Sequence, residues 1–265
     1  LPFSGYYGNY ATDMAMYGDT LYIAGAFGDV VIDGTQDTLP PTSLLKYFND
    51  SVQIKATFDK SILSLKDLSK LYGEFGNEDI LDFKGDIYGT LNNFRIPNLN
   101  MNSDDGIKII GDMQFINAIN SENGFSFNGD LKNVTANYTE LKSVLPNLLG
   151  KTLPTEFKRL GNFTIKGKTI IKNEELDVDI AVYSRIGTTK ADLELTNITN
   201  IDESSYKGNI ELIDFNIGKF FDDSYFGRVS LSGDVSGTGF RIDNVNTGIV
   251  GIIKSIEFND YTYQN

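Results

Sequence analysis

The stretch "FKGDIYGT" begins at Phe83, and "LSGDVSGT" begins at Leu231. The chain therefore writes Gly-Asp-(Ile or Val)-x-Gly-Thr twice, each time just after an alternating apolar pair. Around the first copy Leu81, Phe83, Ile87 and Leu91 share a side with Gly85 and Gly89, while Asp82, Lys84, Asp86 and Tyr88 take the other. Around the second, Val229, Leu231 and Val235 line up with Gly233 and Gly237, opposed by Ser230, Ser232, Asp234 and Ser236. A period of two with one apolar side is a β-strand with a dry face and a wet face. A glycine inside such a strand marks a bend, a bulge or a close backbone approach.

The pattern recurs more loosely. Phe125, Phe127, Gly129, Asp130 and Leu131 form one copy, and Phe163, Ile165 and Gly167 another, with Lys168 in place of the acid. Ile107, Ile109, Gly111, Asp112 and Met113 fit, although Ile110 breaks the alternation; Leu21, Ile23, Gly25 and Phe27 fit without an acid. In "ELDVDIAVY" Leu176, Val178, Ile180 and Val182 face one way, and Glu175, Asp177 and Asp179 the other. A bend at a similar place in strand after strand curves a sheet. The expectation is an all-β chain, an elongated and curved sheet of many similar strands.

Composition agrees. The 265 residues include 26 Gly, 6 Pro, 18 Phe and 14 Tyr, a balance that favours strands and turns over helices. A net charge of −13 argues against nucleic acid as a partner, because phosphate contacts need a basic face. Without Cys there is no disulfide or thiolate site, and without His the commonest general base and transition-metal ligand is missing. No apolar run reaches the length of a membrane-spanning helix. The opening "LPFSGYY" and the closing "YTYQN" read as cut strands, so the chain is expected to be a piece of a longer polypeptide.

Between the strands a few short helices are predicted. One is capped by Thr42 or Ser43 and runs through Phe48. One lies in "SLKDLSKLYGEF", with Leu65, Leu68 and Leu71 on one side. One lies in "TELKSVLPNLLG", with Thr139 as N-cap, Gly150 as stop and Pro146 as a kink. "LPTEFKRLG" and "NIGKFFDDSYFG" each read as a further turn or two. "SVQIKATF" and "KSILSL" read as two strands. Residues 1–41 form a glycine-rich, strand-forming segment, and no composition break divides it from 42–265 as a separate domain.

Amphipathic strands leave two architectures open. In a sandwich or closed β-helix the dry faces pack on one another as an ordinary core. In an open trough the dry face is left for something greasy. Burial is worth about 0.8 kcal/mol per methylene, so an acyl chain gains on the order of 10 kcal/mol in a dry groove. A buried unpaired charge on the wall would oppose that by several kcal/mol.

"LDFKGDIYGTLNNFRIPNLNM", "LGNFTIKGKTIIKN", "YKGNIELIDFNIGKFFDD" and "FGRVSLSGDVSGTGFRID" together resemble the TamB (translocation and assembly module) family of Gram-negative envelope proteins, within the AsmA-like superfamily. The phrase from Asp214 to Phe240 carries most of the likeness, which covers residues 42–265. The resemblance implies a taco-like, open β-helix-like sheet with an apolar inner groove. It implies a segment of a periplasm-spanning bridge that carries phospholipids between inner and outer membranes in support of outer-membrane biogenesis. The implied partners are phospholipid acyl chains, a BamA-like outer-membrane barrel of the TamA type, and an inner-membrane anchor outside this chain. The family has no catalytic residues, metal or cofactor to carry over. The groove-facing set implied is Phe83, Ile87, Phe125, Phe127, Leu131, Phe163, Ile165, Leu176, Val178, Ile180, Leu193, Leu195, Ile210, Leu212, Val229, Leu231 and Val235. A register error of one residue would invert that facing.

Two other classes stand beside it. A β-helical enzyme acting on polysaccharides needs a carboxylate pair, for which Asp177 with Asp179, Asp104 with Asp105, and Asp222 with Asp223 are the candidates. A glycan-binding adhesin module would use exposed aromatics such as Tyr88 and Tyr206.

Overall fold

The computed structural model describes residues 11–17, 20–25, 28–33, 48–69, 76, 80–104, 106–119, 123–144, 153–200, 202–240 and 244–265. Among them, fifteen strands form one open antiparallel sheet in which every strand pairs with its neighbours in sequence. The strands are β1 (Ala11–Tyr17), β2 (Thr20–Gly25), β3 (Gly28–Asp33), β4 (Gln53–Ser64), β5 (Ile80–Gly89), β6 (Phe94–Ser103), β7 (Lys108–Ile116) and β8 (Ser126–Ala136). They continue with β9 (Phe163–Lys172), β10 (Glu175–Ser184), β11 (Gly187–Thr196), β12 (Ser205–Asn216), β13 (Phe226–Thr238), β14 (Asn246–Phe258) and β15 (Tyr261–Gln264). At about 4.8 Å between strands the fifteen-strand meander is roughly 70 Å long. The all-β, unclosed sheet with a few short helices expected from the sequence is the fold that forms.

The helices gather at the ends of the strands. We call rim A the end where β4 passes to β5, β8 to β9 and β12 to β13. There lie α2 (Leu65–Leu68), α3 (Tyr138–Val144), a 3-10 helix (Thr155–Leu160) and α4 (Ile217–Phe221). Helix α1 (Phe48–Ser51) lies at the opposite rim B, where the Asn92 amide donates to the Asn49 carbonyl at 2.9 Å.

Several expectations are corrected in detail. Gln53–Ser64 is a single strand with a bulge between Phe58 and Ser61, so "SVQIKATF" and "KSILSL" are two halves of β4. The N-cap of α3 is Asn137. Its Oδ1 accepts from the amides of Thr139 and Glu140 at 2.9 and 3.0 Å, and Glu140 Oε2 accepts from the Asn137 amide at 3.0 Å. That reciprocal pair is a capping box, and it starts the helix before Thr139. Leu91 is in the turn after β5, so it does not continue the dry side of that strand. Gly34, Pro40, Pro41, Thr42, Ser43, Leu71, Pro146 and Gly150 lie outside the described residues, as does Phe27.

Glycines let the strands bend. Gly167 has φ 132°, and a Cβ there would lie 2.1 Å from the Asp179 carbonyl oxygen of the next strand. Gly208 has φ 145° and would place a Cβ 2.1 Å from the Asp192 oxygen. Side chains avoid that backbone region, and neither site has room for one, so both need glycine.

Bulges add to the bending. Two residues oppose one at Pro97 and Asn98 on β6, Lys132 and Asn133 on β8, and Ile213 and Asp214 on β12; β14 carries an extra residue at Lys254. Such insertions increase local twist. Asp112 stands between two of them. Its Oδ1 accepts from the Asn98 amide at 2.6 Å and its Oδ2 meets Lys132 Nζ at 2.7 Å.

Candidate functional site

Cross-strand register decides which side chains share a face, because directly paired residues point the same way. Starting at β10, Leu176, Val178, Ile180 and Val182 pair with Ile171, Thr169, Gly167 and Ile165 of β9. On the other side they pair with Leu195, Leu193, Ala191 and Thr189 of β11. From there the face passes through Tyr206, Gly208, Ile210 and Leu212 of β12 to Gly237, Val235, Gly233 and Leu231 of β13. Toward the N-terminus it passes through Phe127, Gly129, Leu131 and Val134 of β8 and Phe115, Met113, Gly111 and Ile109 of β7. It continues through Phe94, Ile96, Leu99 and Met101 of β6 to Phe83 and Gly89 of β5.

The sheet thus brings Phe83, Ile87, Phe127, Leu131, Phe163, Ile165, Leu176, Val178, Ile180, Leu193, Leu195, Ile210, Leu212, Val229, Leu231 and Val235 to one face. Phe125 precedes the first residue of β8, where its carbonyl accepts from the Asn173 amide at 3.0 Å. The groove-facing set expected from the sequence omits Ile54, Phe94, Ile96, Leu99, Met101, Ile109, Met113, Phe115 and Ile171, which belong to the same face; the period of two was their signal, as the alternation of Ile109 and Met113 shows. Ile110 does not break it. The extra residue sits on β8, so β7 keeps its alternation and Ile110 points outward opposite Asn100 and Asn133.

This face is covered unevenly. One buried cluster spans β5 to β8, with Leu65, Leu81, Phe83, Ile96, Leu99, Met101, Ile107, Ala136 and Val144 at its centre; it is densest at rim A, and Phe94 and Phe115 of rim B pack against it. A second joins Leu160, Phe163, Ile186 and Phe215, with Phe157, Ile217 and Phe220 packed against it from the 3-10 helix and α4. At rim B a row of rings crosses three strands, Phe94 to Phe115 at 4.8 Å and Phe115 to Phe127 at 5.0 Å. Among the described residues neither cluster joins one end of the sheet to the other, so these strands do not fold over onto themselves as a sandwich.

Between β9 and β12 the middle of the face lies outside both clusters. Leu176, Val178, Ile180, Leu193, Leu195 and Ile210 are half-buried there. Their outward neighbours Glu175, Asp177, Asp179, Asp192 and Glu194 are exposed. The rows running along the sheet carry no charge on this face. The row Leu131, Gly167, Ile180, Ala191, Ile210 and Gly233 alternates large and small side chains across six consecutive strands.

The opposite face is laced by ion pairs. Lys190 meets Glu211 at 2.8 Å, Lys254 meets Glu211 at 3.4 Å, and Lys207 meets Glu194 at 2.7 Å. Hydrogen bonds from Lys190 and Lys254 hold the Glu211 carboxyl below its ordinary range, and the Glu211 and Glu194 partners raise Lys190 and Lys207. The Asn98 amide and then Lys132 hold Asp112 down. Lys168 stands in register between Asp130 and Asp179, which explains why an acid is replaceable at that position.

The carboxylate pairs fall on this polar side or in turns. Asp177 and Asp179 are exposed on the outer face. Asp222 closes α4 in a left-handed conformation and meets Arg159 at 3.2 Å, while Asp223 accepts from the Tyr225 amide at 2.7 Å. Asp104 is exposed in the turn after β6, and Asp105 lies outside the described residues. Among the described residues no group of three or more His, Cys, Asp or Glu side chains could hold a metal ion. Tyr206 is not a surface platform. It is 9% exposed on the dry face, packs on Phe240 at 4.8 Å and hydrogen-bonds Thr247 through its hydroxyl. Tyr88 is half-buried between Lys55 and Arg95. Among the described residues no helix is long and apolar enough to cross a membrane.

No family model, no curated protein and no solved structure matches this chain.

Proposed function

We propose that the chain is a non-enzymatic lipid conduit, a segment of a bridge that carries phospholipids along its dry face. The observation that carries this reading is the charge-free middle of that face, half-buried from Leu176 to Ile210 and outside both packed clusters. Hydrocarbon lying there completes the burial of these side chains at about 25 cal/mol per Å² of apolar surface. Because the apolar rows run across strand after strand, similar contacts repeat along the sheet and an acyl chain can shift along it without leaving apolar surroundings. The ion pairs lie on the other face, where they keep that side in water.

The place of the conduit follows from the resemblance to the TamB family. On that reading it lies in the periplasm of a Gram-negative envelope, anchored in the inner membrane through residues outside this chain. It meets a BamA-like barrel at the outer membrane and supports outer-membrane biogenesis there. Native mass spectrometry of protein purified without detergent tests the lipid reading. Phospholipid adducts are expected on the wild type and lost with Leu193→Asp at unchanged circular dichroism. A wild type that stays bare after exposure to phospholipid vesicles sinks it.

A further inference from the structure

Hydrogen-bond donors are scarce on the dry face between β9 and β12. The backbone of these strands is engaged by its neighbours across unbroken registers. Among the described residues the side chains that bring a hydroxyl to this part of the face are Thr169, Ser184, Thr189 and Tyr206. Ser184 donates to the Gly187 carbonyl at 2.8 Å, and Tyr206 is bonded to Thr247. Thr169 and Thr189 have no hydrogen-bond partner among the described residues, and both are half-buried. Thr169 pairs with Val178 and Thr189 with Val182, on either side of β10. The dry positions of β10 itself, Leu176, Val178, Ile180 and Val182, are all aliphatic, so each hydroxyl sits beside hydrocarbon. The methyl of Thr169, rather than its hydroxyl, is the group nearest Gly129 of β8.

We infer that Thr169 and Thr189 are specificity-determining residues, donating hydrogen bonds to the ester carbonyls of a glycerophospholipid. The inference rests on the conduit reading. Water reaches these hydroxyls in the empty groove and is expelled when lipid covers the face. A polar group buried without a partner is strongly disfavoured, and methylenes cannot serve as one. An ester carbonyl can, because it accepts hydrogen bonds, has no donor of its own and meets a hydroxyl that donates. The tails then lie on the aliphatic rows, and the ester region is drawn to a threonine. Val178 and Val182 are four residues apart, so the two threonines are offset by about 14 Å along the strands and about 10 Å across them. The two esters of one lipid stem from adjacent carbons and do not span that gap. Each threonine is therefore a separate resting place, and a lipid moving from β9 to β11 passes from one to the other. One such bond changes an affinity by only about two- to tenfold, shallow enough for the lipid to move on.

The test offers the 265-residue chain vesicles of two phospholipids in equal amounts. They share headgroup and tail length, but one is ester-linked and the other ether-linked, without the carbonyls. Native mass spectrometry separates the two adducts by mass. The wild type should take up the ester form about fivefold more than the ether form. Valine has the shape of threonine without the hydroxyl, so the double variant Thr169→Val with Thr189→Val should fold alike by circular dichroism. It should take up the two lipids equally, with uptake of the ether lipid alone unchanged. Thr169→Ser with Thr189→Ser restores both hydroxyls and should restore the preference. A wild type that takes up both lipids equally overturns the inference and leaves the conduit standing. So does an ester preference that survives the double valine variant, since the carbonyls are then recognised elsewhere. Uptake of neither lipid sinks the inference and the conduit together.

Discussion

Truncating one leucine in the packed part of the dry face and one in its uncovered middle measures whether that face is filled or open. Leu81 is fully buried in the rim A cluster, wrapped by residues of the neighbouring strands and of α2 and α3. Leu81→Ala therefore loses its transfer energy and leaves an enclosed void, a combination that costs about 2–5 kcal/mol. Leu193 is half-buried beside Val178 and Gly208, outside both clusters. At about 0.8 kcal/mol per fully buried methylene, partial burial makes Leu193→Ala cost about 1 kcal/mol, with no sealed cavity to add. Urea denaturation of lipid-free protein, followed by circular dichroism and tyrosine fluorescence since there is no tryptophan, gives both numbers. Saturating phospholipid should then raise wild-type stability by mass action, about 2.7 kcal/mol at a hundred times the dissociation constant, and Leu193→Ala should keep less of that gain. Equal losses of about 3 kcal/mol at the two positions without lipid would mean that the face is covered at Leu193 as it is at Leu81, and the reasoning fails.

The remaining predictions concern bends, caps and charges. Gly208→Val puts a branched side chain where φ is 145° and the Asp192 oxygen is in contact, so a loss of at least about 1–3 kcal/mol should appear as a lowered melting temperature. Asn137→Ala removes the acceptor at the start of α3 and should cost about 1 kcal/mol in the same melt. Asp112 and Glu211 have depressed pKa values. Their contribution is present above the ordinary carboxylate range and is lost as pH falls through their folded values, so Asp112→Asn should flatten the acid limb of a stability-against-pH curve. Lys190 and Lys207 are raised, so their contribution is complete below the ordinary lysine range and is lost as pH climbs past it; Glu194→Gln should weaken that alkaline fall.

Period two made most of the sheet readable. "ELDVDIAVY" has no bulge, and its alternation runs unbroken into both neighbours. The glycine-centred copies were equally plain, and at Gly111, Gly167 and Gly233 a Cβ would meet the neighbouring strand's backbone within 2.6 Å. The single inserted residues were not legible. After Leu212 a strict alternation makes Asp214 the next dry residue, yet the bulge turns Asp214 outward to Arg228, 2.6 Å away, and places Phe215 inward. What fixes that insertion lies on another strand, where Ser230 Oγ accepts from the Asp214 amide at 3.0 Å. Lys132 is the same case, answered by Asp112 on β7. Which part of the apolar face the helices cover was also beyond reach, because short helices carry too few residues to reveal which strands they contact.

The meander has a consequence for how the chain is made. Each strand finds its partner in the hairpin beside it, so no segment must wait for a distant one before it can dock. Contacts this local shorten the search for the native state. Cooperativity in such an array passes only between nearest neighbours. The molecule can therefore zip up in the order in which its residues emerge from a ribosome or a translocon, and damage to a middle strand would leave two shorter ribbons rather than one unfolded chain.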